Sequence, residues 1–323
     1  MKNLAMSPAI KEKLDQIPPL PGIYKMLDSR GNIIYVGKSM CLRKRVSSYF
    51  TGNHRWKKVE KLVFFTADID YIVTDTHLEA RLLECEMIKK LKPVFNSQMK
   101  NDNGYVYLKV ESDSRYKVLS VVSERDKYTF GPFRNKHRLN SIIDSLEYIY
   151  PIHKANDGYE FELHALPVSM SQTSYCLNKM NLIEIFSHNM KMEALIHVLE
   201  LKMMESASQL NFESASKYRD IIRGLKYINN GIQGYHELMS QDILLKIPSV
   251  KQGYKLFYVS NGTIVSKKHY ADITEEDIRQ FISTAGSRKR AKSGVRDEKS
   301  VLDFRDIIYS EIRSLPKEMV FTI

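Results

Sequence analysis

The chain has 323 residues, a formal charge of +11 and a sequence pI near 9.3. That length allows about two or three compact modules, and the positive excess favours polyanions in a salt-sensitive way without telling DNA from RNA or an acidic membrane. No run of about eighteen apolar residues exists, and the first thirteen residues carry no signal-peptide pattern. The three scattered cysteines, Cys41, Cys85 and Cys176, provide neither a disulfide framework nor a zinc spacing, so a reduced cytoplasm is expected.

Pro21-Gly22-Ile23-Tyr24 is followed after ten residues by Tyr35-Val36-Gly37-Lys38. The intervening segment has apolar flanks around the turn residues Asp28, Gly31 and Asn32, which predicts a β-hairpin. Tyr24 and Tyr35 then lie on neighbouring strands, with Gly37 and Lys38 opening the next helix. A basic run follows: Arg43, Lys44, Arg45, Arg55, Lys57, Lys58 and Lys61 against one acid, Glu60. Arg45 stands seven residues after Lys38, so both are expected on the side of the helix that buries Leu42, Val46 and Tyr49. Tyrosine hydroxyls beside fixed cations suggest phosphodiester chemistry. The alternative is packed tyrosines and solvated surface charge.

Thr76-His77-Leu78-Glu79 has capping-box form and predicts a helix from Thr76 that Pro93 stops. Ala80, Leu83, Met87, Ile88 and Leu91 make its inward face, and Glu84 falls on that face while Glu79 and Glu86 point elsewhere. A carboxylate on an apolar face needs a cation, a metal or hydrogen bonds, so Glu84 is either an internal salt bridge, with Arg45 as a candidate partner, or a metal ligand. His54 and His77 read as surface or capping residues.

Gly22-Ile23-Tyr24 and Tyr35-Val36-Gly37 resemble the two halves of the GIY-YIG nuclease signature. Leu20 to Tyr24 and Arg45-Val46-Ser47-Ser48-Tyr49-Phe50 extend the resemblance to the N-terminal nuclease domain of the UvrC family of excision-repair endonucleases. The resemblance implies a small antiparallel sheet flanked by helices over residues 15–98. It implies catalytic roles for Tyr24, Tyr35, Lys38 and Arg45, one magnesium or manganese ion on Glu84, and supporting roles for Gly37, Tyr49 and Asn96. A turn-forming Asn96 is the alternative. A free tyrosine, with a pKa of about 10, is a poor base at neutral pH. Lys38 and Arg45 are expected to favour its phenolate by charge attraction, leaving open which tyrosine takes the proton. Arg43, Lys44, Lys57 and Lys58 are expected on the DNA.

Residues 99–188 form a second block. Tyr105–Val110 and Val118–Val122 read as strands, Phe130-Gly131-Pro132-Phe133 as a turn, and Leu139–Tyr148 as a helix. The block resembles the connector of UvrC, but residues 152–189 hold one cysteine, Cys176, where the family has four, so no iron–sulfur cluster is expected. Residues 190–228 predict an antiparallel helical hairpin, Met190–Gln209 and Phe212–Lys226. Its string from Leu210 to Asp220 is similar to the UVR motif through which UvrC engages UvrB, which implies that Leu210, Phe212, Ala215, Tyr218 and Arg219 meet a UvrB-like partner. A simple core hairpin is the alternative.

Residues 229–323 form a small α/β region of uncertain fold. A hairpin turns at Asn261-Gly262, helices follow near Thr274–Thr284 and Val301–Arg313, and between them Arg288, Lys289 and Arg290 lie in a basic loop that either contacts phosphate or is solvated. The acidic residues of the second, RNase H-like site of UvrC are not found, so one nuclease centre is expected, as in the shortened Cho-type homologues. The reading is an α+β, metal-dependent DNA endonuclease that incises on the 3′ side of a lesion after recruitment by UvrB. The rivals are a silent DNA- or UvrB-binding module and a mobile-element nuclease that needs no UvrB.

Overall fold

The computed structural model describes residues 8–50, 57–100, 104–111, 117–156, 158–291 and 298–323. The chain forms two compact units: residues 1–102 together with 238–323, and residues 103–237. Helix and strand are mixed, in small antiparallel sheets.

In the first unit, helix α1 (Pro8–Gln16) leads into strands β1 (Gly22–Leu27) and β2 (Ile33–Ser39). The hairpin closes because the Asp28 carboxylate accepts from the amides of Arg30 and Asn32, while Gly31 takes φ +78°. Helices α2 (Leu42–Ser47) and α3 (Lys57–Phe65) follow, then strand β3 (Asp68–Val73) and helix α4 (His77–Leu91). The sheet runs β2–β1–β3, antiparallel throughout, which puts β1 at its centre. Lys38 therefore ends a strand rather than opening a helix. In α4, the Thr76 hydroxyl accepts from the Glu79 amide, and the helix stops at Lys92, in the left-handed region, just before Pro93. Ala80 and Ile88 are buried against Ile23 and Val36. Leu91 is 40% exposed and so lies off the inward face.

The second unit holds strands β4 (Val106–Val110), β5 (Leu119–Val122) and β6 (Thr129–Phe133), in the order β5–β4–β6. Phe130–Phe133 is thus part of a strand paired to β4, not a free turn. Helix α5 (Lys136–Leu146) begins three residues earlier than its apolar pattern suggested, because Asn135 caps it by accepting from the Arg138 amide. A two-stranded ladder, β7 (His153–Ala155) and β8 (Gly158–Glu160), precedes helix α6 (Gln172–Ser187). Helices α7 (Asn189–Ser208) and α8 (Phe212–Ser240) then run back on each other: Lys226 reaches Glu200, and Asn229 reaches Asn189 and Glu193. Asn211 caps the second helix through the Ser214 amide. That helix continues well past Lys226, where glycine gives a close approach: a Cβ on Gly231 would stand 2.6 Å from the Phe133 ring.

After α8 the chain returns to the first unit as strands β9 (Asp242–Pro248), β10 (Tyr254–Ser260) and β11 (Thr263–Tyr270), helices α9 (Glu275–Ala291) and α10 (Glu298–Ser314), and strand β12 (Val320–Thr322). The sheet order is β11–β10–β9–β12. Asn261 and Gly262 both adopt positive φ, as a tight hairpin turn of this kind requires. Side chains alternate between faces. Ile243, Leu245, Phe257 and Val259 pack with Leu78 and Cys85 of α4 and Ile307 and Ile308 of α10, while Leu244, Leu256 and Tyr258 pack with Phe281 and Ala285 of α9. The expected basic loop is helical backbone through Ala291; residues 292–294 lie outside the described residues.

Candidate active site

Strand pairing puts Tyr24 opposite Gly37. That glycine is required there, because a Cβ would stand 2.4 Å from the Tyr24 hydroxyl. The Tyr24 ring is 1% exposed and crosses β2 toward α2, where its hydroxyl meets that of Tyr49 at 2.8 Å. Arg45 Nη2 donates to the same Tyr49 oxygen at 3.1 Å, and its guanidinium lies 4.9 Å from the Tyr49 ring centre. Tyr35 completes a three-ring cluster with centroids 5.9–6.3 Å apart.

Glu84 of α4 faces β2 from the other side. Its Oε1 accepts from the Lys38 amide at 3.0 Å and its Oε2 from Lys38 Nζ at 3.1 Å. The partner anticipated for an internal salt bridge was Arg45; it is Lys38. Asn96 brackets the same strand, accepting from the Val36 amide at 3.0 Å and donating to the Val36 carbonyl at 2.8 Å. Its amide also closes a turn on the Pro93 carbonyl at 3.1 Å, and the residue lies on the cleft wall. It extends the sheet edge with a side chain and fixes the strand segment between Tyr35 and Gly37.

Tyr35, Lys38, Arg45, Tyr49, Lys58 and Glu84 line one cleft of about 550 Å³, together with Asn96, Phe95 and Gln98. Tyr24 stands behind this wall. Phe95 and Gln98 carry no signal in the sequence, since they follow Pro93 in irregular backbone without periodicity. Glu84 is the only carboxylate among the described residues lining the cleft. Its remaining lone pairs and hard oxygens suit a magnesium-like ion that takes one or two protein carboxylates and completes its shell with water and phosphate.

Tyr24 and Tyr35 both favour the neutral phenol. Burial, reinforced by the neighbouring phenols, pushes the Tyr24 hydroxyl well above its ordinary range, and Arg45 offsets only a minor part. Tyr35 is raised likewise, by burial first and then by Tyr49. The expected stabilisation of a phenolate by Lys38 and Arg45 is therefore outweighed by desolvation: Lys38 is committed to Glu84, and Arg45 to Tyr49.

The other expected contacts divide. Lys44 and Lys57 are exposed, and Lys58 lies on the cleft wall. Arg43 instead donates from Nε to the Ile17 carbonyl at 2.7 Å and from Nη2 to the Asp15 carbonyl at 3.3 Å, so its guanidinium caps the end of α1. Arg288, Lys289 and Arg290 belong to the α9 backbone, and Arg55 and His54 fall outside the described residues. In the helical hairpin Leu210 is 73% and Phe212 66% exposed, Arg219 is exposed and Ala215 half-buried. Tyr218 departs from this set: it is buried in the core of the second unit, where packing against α5–α8 apolar side chains removes it from any surface.

A family model described as the UvrC-like GIY-YIG domain matches residues 20–97, and one described as the UvrB/UvrC motif matches residues 193–228. UvrABC system protein C of Alkaliphilus oremlandii is 32% identical over 300 residues, covering 84% of this chain and 47% of that protein. Its namesake from Streptococcus pyogenes serotype M3 is 36% identical over 295 residues, covering 86% and 49%. The chain spans about half the length of the curated relatives it matches. Among solved structures, the GIY-YIG N-terminal endonuclease domain of UvrC from Thermotoga maritima, bound to its catalytic divalent cation, magnesium, is 33% identical. It covers 28% of this chain and 100% of that chain, with a TM-score of 0.27. Among the described residues no helix is long and apolar enough to cross a membrane.

Proposed function

Because this chain is UvrC-like, with a GIY-YIG domain over residues 20–97 and a UvrB/UvrC motif over residues 193–228, we propose that it is a metal-dependent DNA endonuclease of excision repair. It makes one incision, on the 3′ side of a lesion, and is recruited by a UvrB-like protein. The observation that carries the reading is the convergence on one cleft of Tyr35, Arg45, Tyr49, Lys38 and Glu84, from β2, the α2 region and α4.

Each group has a task in phosphodiester hydrolysis. Arg45, exposed at the rim, binds phosphoryl oxygens as they gain charge. Tyr35, half-buried on the wall, orients the attacking water and takes part in its proton transfer, with Tyr49 beside it on the same wall and hydrogen-bonded to Tyr24 behind. Glu84 holds one divalent ion, magnesium or manganese, and Lys38, through its amide and its ammonium, fixes the position of that carboxylate. When bound, the ion supplies charge neutralisation at the scissile phosphate. Lys44, Lys57 and Lys58 hold the flanking phosphates, and Leu210, Phe212 and Arg219 meet the partner.

Glu84→Gln tests this. The variant is expected to lose magnesium-dependent nicking of lesion-bearing duplex in the presence of UvrB, by about a thousandfold or more, while keeping its DNA affinity. A wild-type protein that binds but never nicks, with or without magnesium and UvrB, leaves only a silent binding module. Efficient cleavage of undamaged DNA without UvrB points instead to a partner-independent nuclease.

A further inference from the structure

Helix α3 carries Lys58, Leu62 and Phe65 at i, i+4 and i+7, which places them on one stripe. Lys58 and Leu62 line the candidate cleft. Phe65 continues the stripe one turn beyond it and lies 6.2 Å, ring centre to ring centre, from Phe95, itself part of the cleft wall. Phe64 stands edge-on to Phe65 at 5.2 Å. The two rings are 62% and 53% exposed. Two adjacent phenylalanines left in water at the lip of a cleft mark a surface with an occupant. The same helix carries exposed Lys57, Lys58 and Lys61 against the single acid Glu60, so it offers positive charge on the element that bears the rings.

We infer that Phe64 and Phe65 form a stacking platform for an unpaired nucleobase of the strand that enters the cleft. The rings accept a base face while the α3 lysines hold its phosphates, as aromatic side chains and cations combine on single-stranded nucleic acid. This rests on the nuclease reading of the cleft and adds a selection rule to it: the platform favours DNA in which a base beside the scissile phosphate has left the stack.

The full chain carrying Glu84→Gln, which binds without cutting, is titrated with a short paired duplex and with the same duplex bearing one bulged 2-aminopurine. The bulged duplex is expected to bind about tenfold tighter, within the range that stacking of one base supplies, with its fluorescence quenched. Phe64→Ala with Phe65→Ala abolishes the preference and the quenching and leaves affinity for the paired duplex unchanged. Phe65→Trp retains both, which separates stacking from a folding defect. A preference and quenching that survive the double alanine variant overturn the platform. So does a wild-type dimer that the alanines dissociate, which assigns the patch to a second copy of the chain. Nicking is scored separately in the protein with Glu84 intact. Absent nicking with the platform signal present overturns the nuclease reading alone, and nicking without any preference for the bulge overturns the platform alone.

Discussion

Gly37 and Asn96 shape the cleft through the packing of Tyr24 and the bracing of Val36. A methyl group on Gly37 meets the Tyr24 ring, which is enclosed and has no free direction to move. Gly37→Ala is therefore expected to cost about 1–3 kcal/mol of stability, read by thermal unfolding, and to slow nicking by about a hundredfold through displaced phenols. Asn96→Ala strands the Val36 amide and carbonyl, both satisfied by its side chain, and is expected to cost about 2–4 kcal/mol. The proposed role of Tyr35 is read in the pH profile. Because burial lifts its pKa above the usual 10, its phenolate fraction at pH 7 is below about one part in a thousand. If deprotonated Tyr35 accepts the proton, the nicking rate at saturating magnesium rises about tenfold per pH unit from pH 7 to 9, and Tyr35→Phe loses both rate and slope. A flat wild-type profile removes Tyr35 from proton transfer. The residue types of this cluster were legible in the sequence. The ionisation of the phenols was not, because desolvation depends on what encloses them.

Helix α4 is where the two stretches of the first unit meet. At its start Asp75 pairs with Lys251 and Lys255, and Glu79 with Lys255 and Lys267; further along, Arg81 pairs with Glu311 and Lys89 with Asp303. The cap and stop of this helix were readable from Thr76 and Pro93, whereas Glu79, expected to point elsewhere, is buried and paired with strands far along the chain. Burial alone would raise the Asp75 carboxyl, but the two lysines outweigh it and hold it at about 2. Glu79 is lowered in the same way by Lys255 and Lys267. A folded-state pKa below the unfolded value means that this stability is present above about pH 4 and is lost as pH falls toward 2. Thermal unfolding should weaken more steeply between pH 4 and 2.5 in the wild type than in Asp75→Asn, and equal slopes would refute the assignment. Lys255→Met leaves the Glu79 charge undercompensated and is expected to cost about 3 kcal/mol.

For the molecule as a whole, the proposed DNA and partner contacts rest on separate features, net charge and exposed apolar side chains. The net charge of +11 implies that DNA affinity falls linearly with the logarithm of salt concentration, whatever the sequence of the DNA. Leu210 and Phe212, at the exposed bend between α7 and α8, contribute little to folding. Substituting both with aspartate is expected to weaken binding to a UvrB fragment by at least about tenfold, by calorimetry, with the unfolding temperature unchanged. An unaltered affinity would place the partner surface elsewhere.

The amino-acid sequence on its own determined what short-range physics controls: the hairpin turns at Asp28–Asn32 and Asn261–Gly262, the cap and stop of α4, the bend at Asn211, and the kinds of side chain brought near one another. Folding alone decided which distant groups meet. Lys38, not Arg45, neutralises Glu84; Arg43 caps a helix; Tyr218 enters a core; β9 and β12 build a sheet against α4. Periodicity and capping act over one or two turns of chain, whereas ion pairs and desolvation depend on distances through space that no local pattern records.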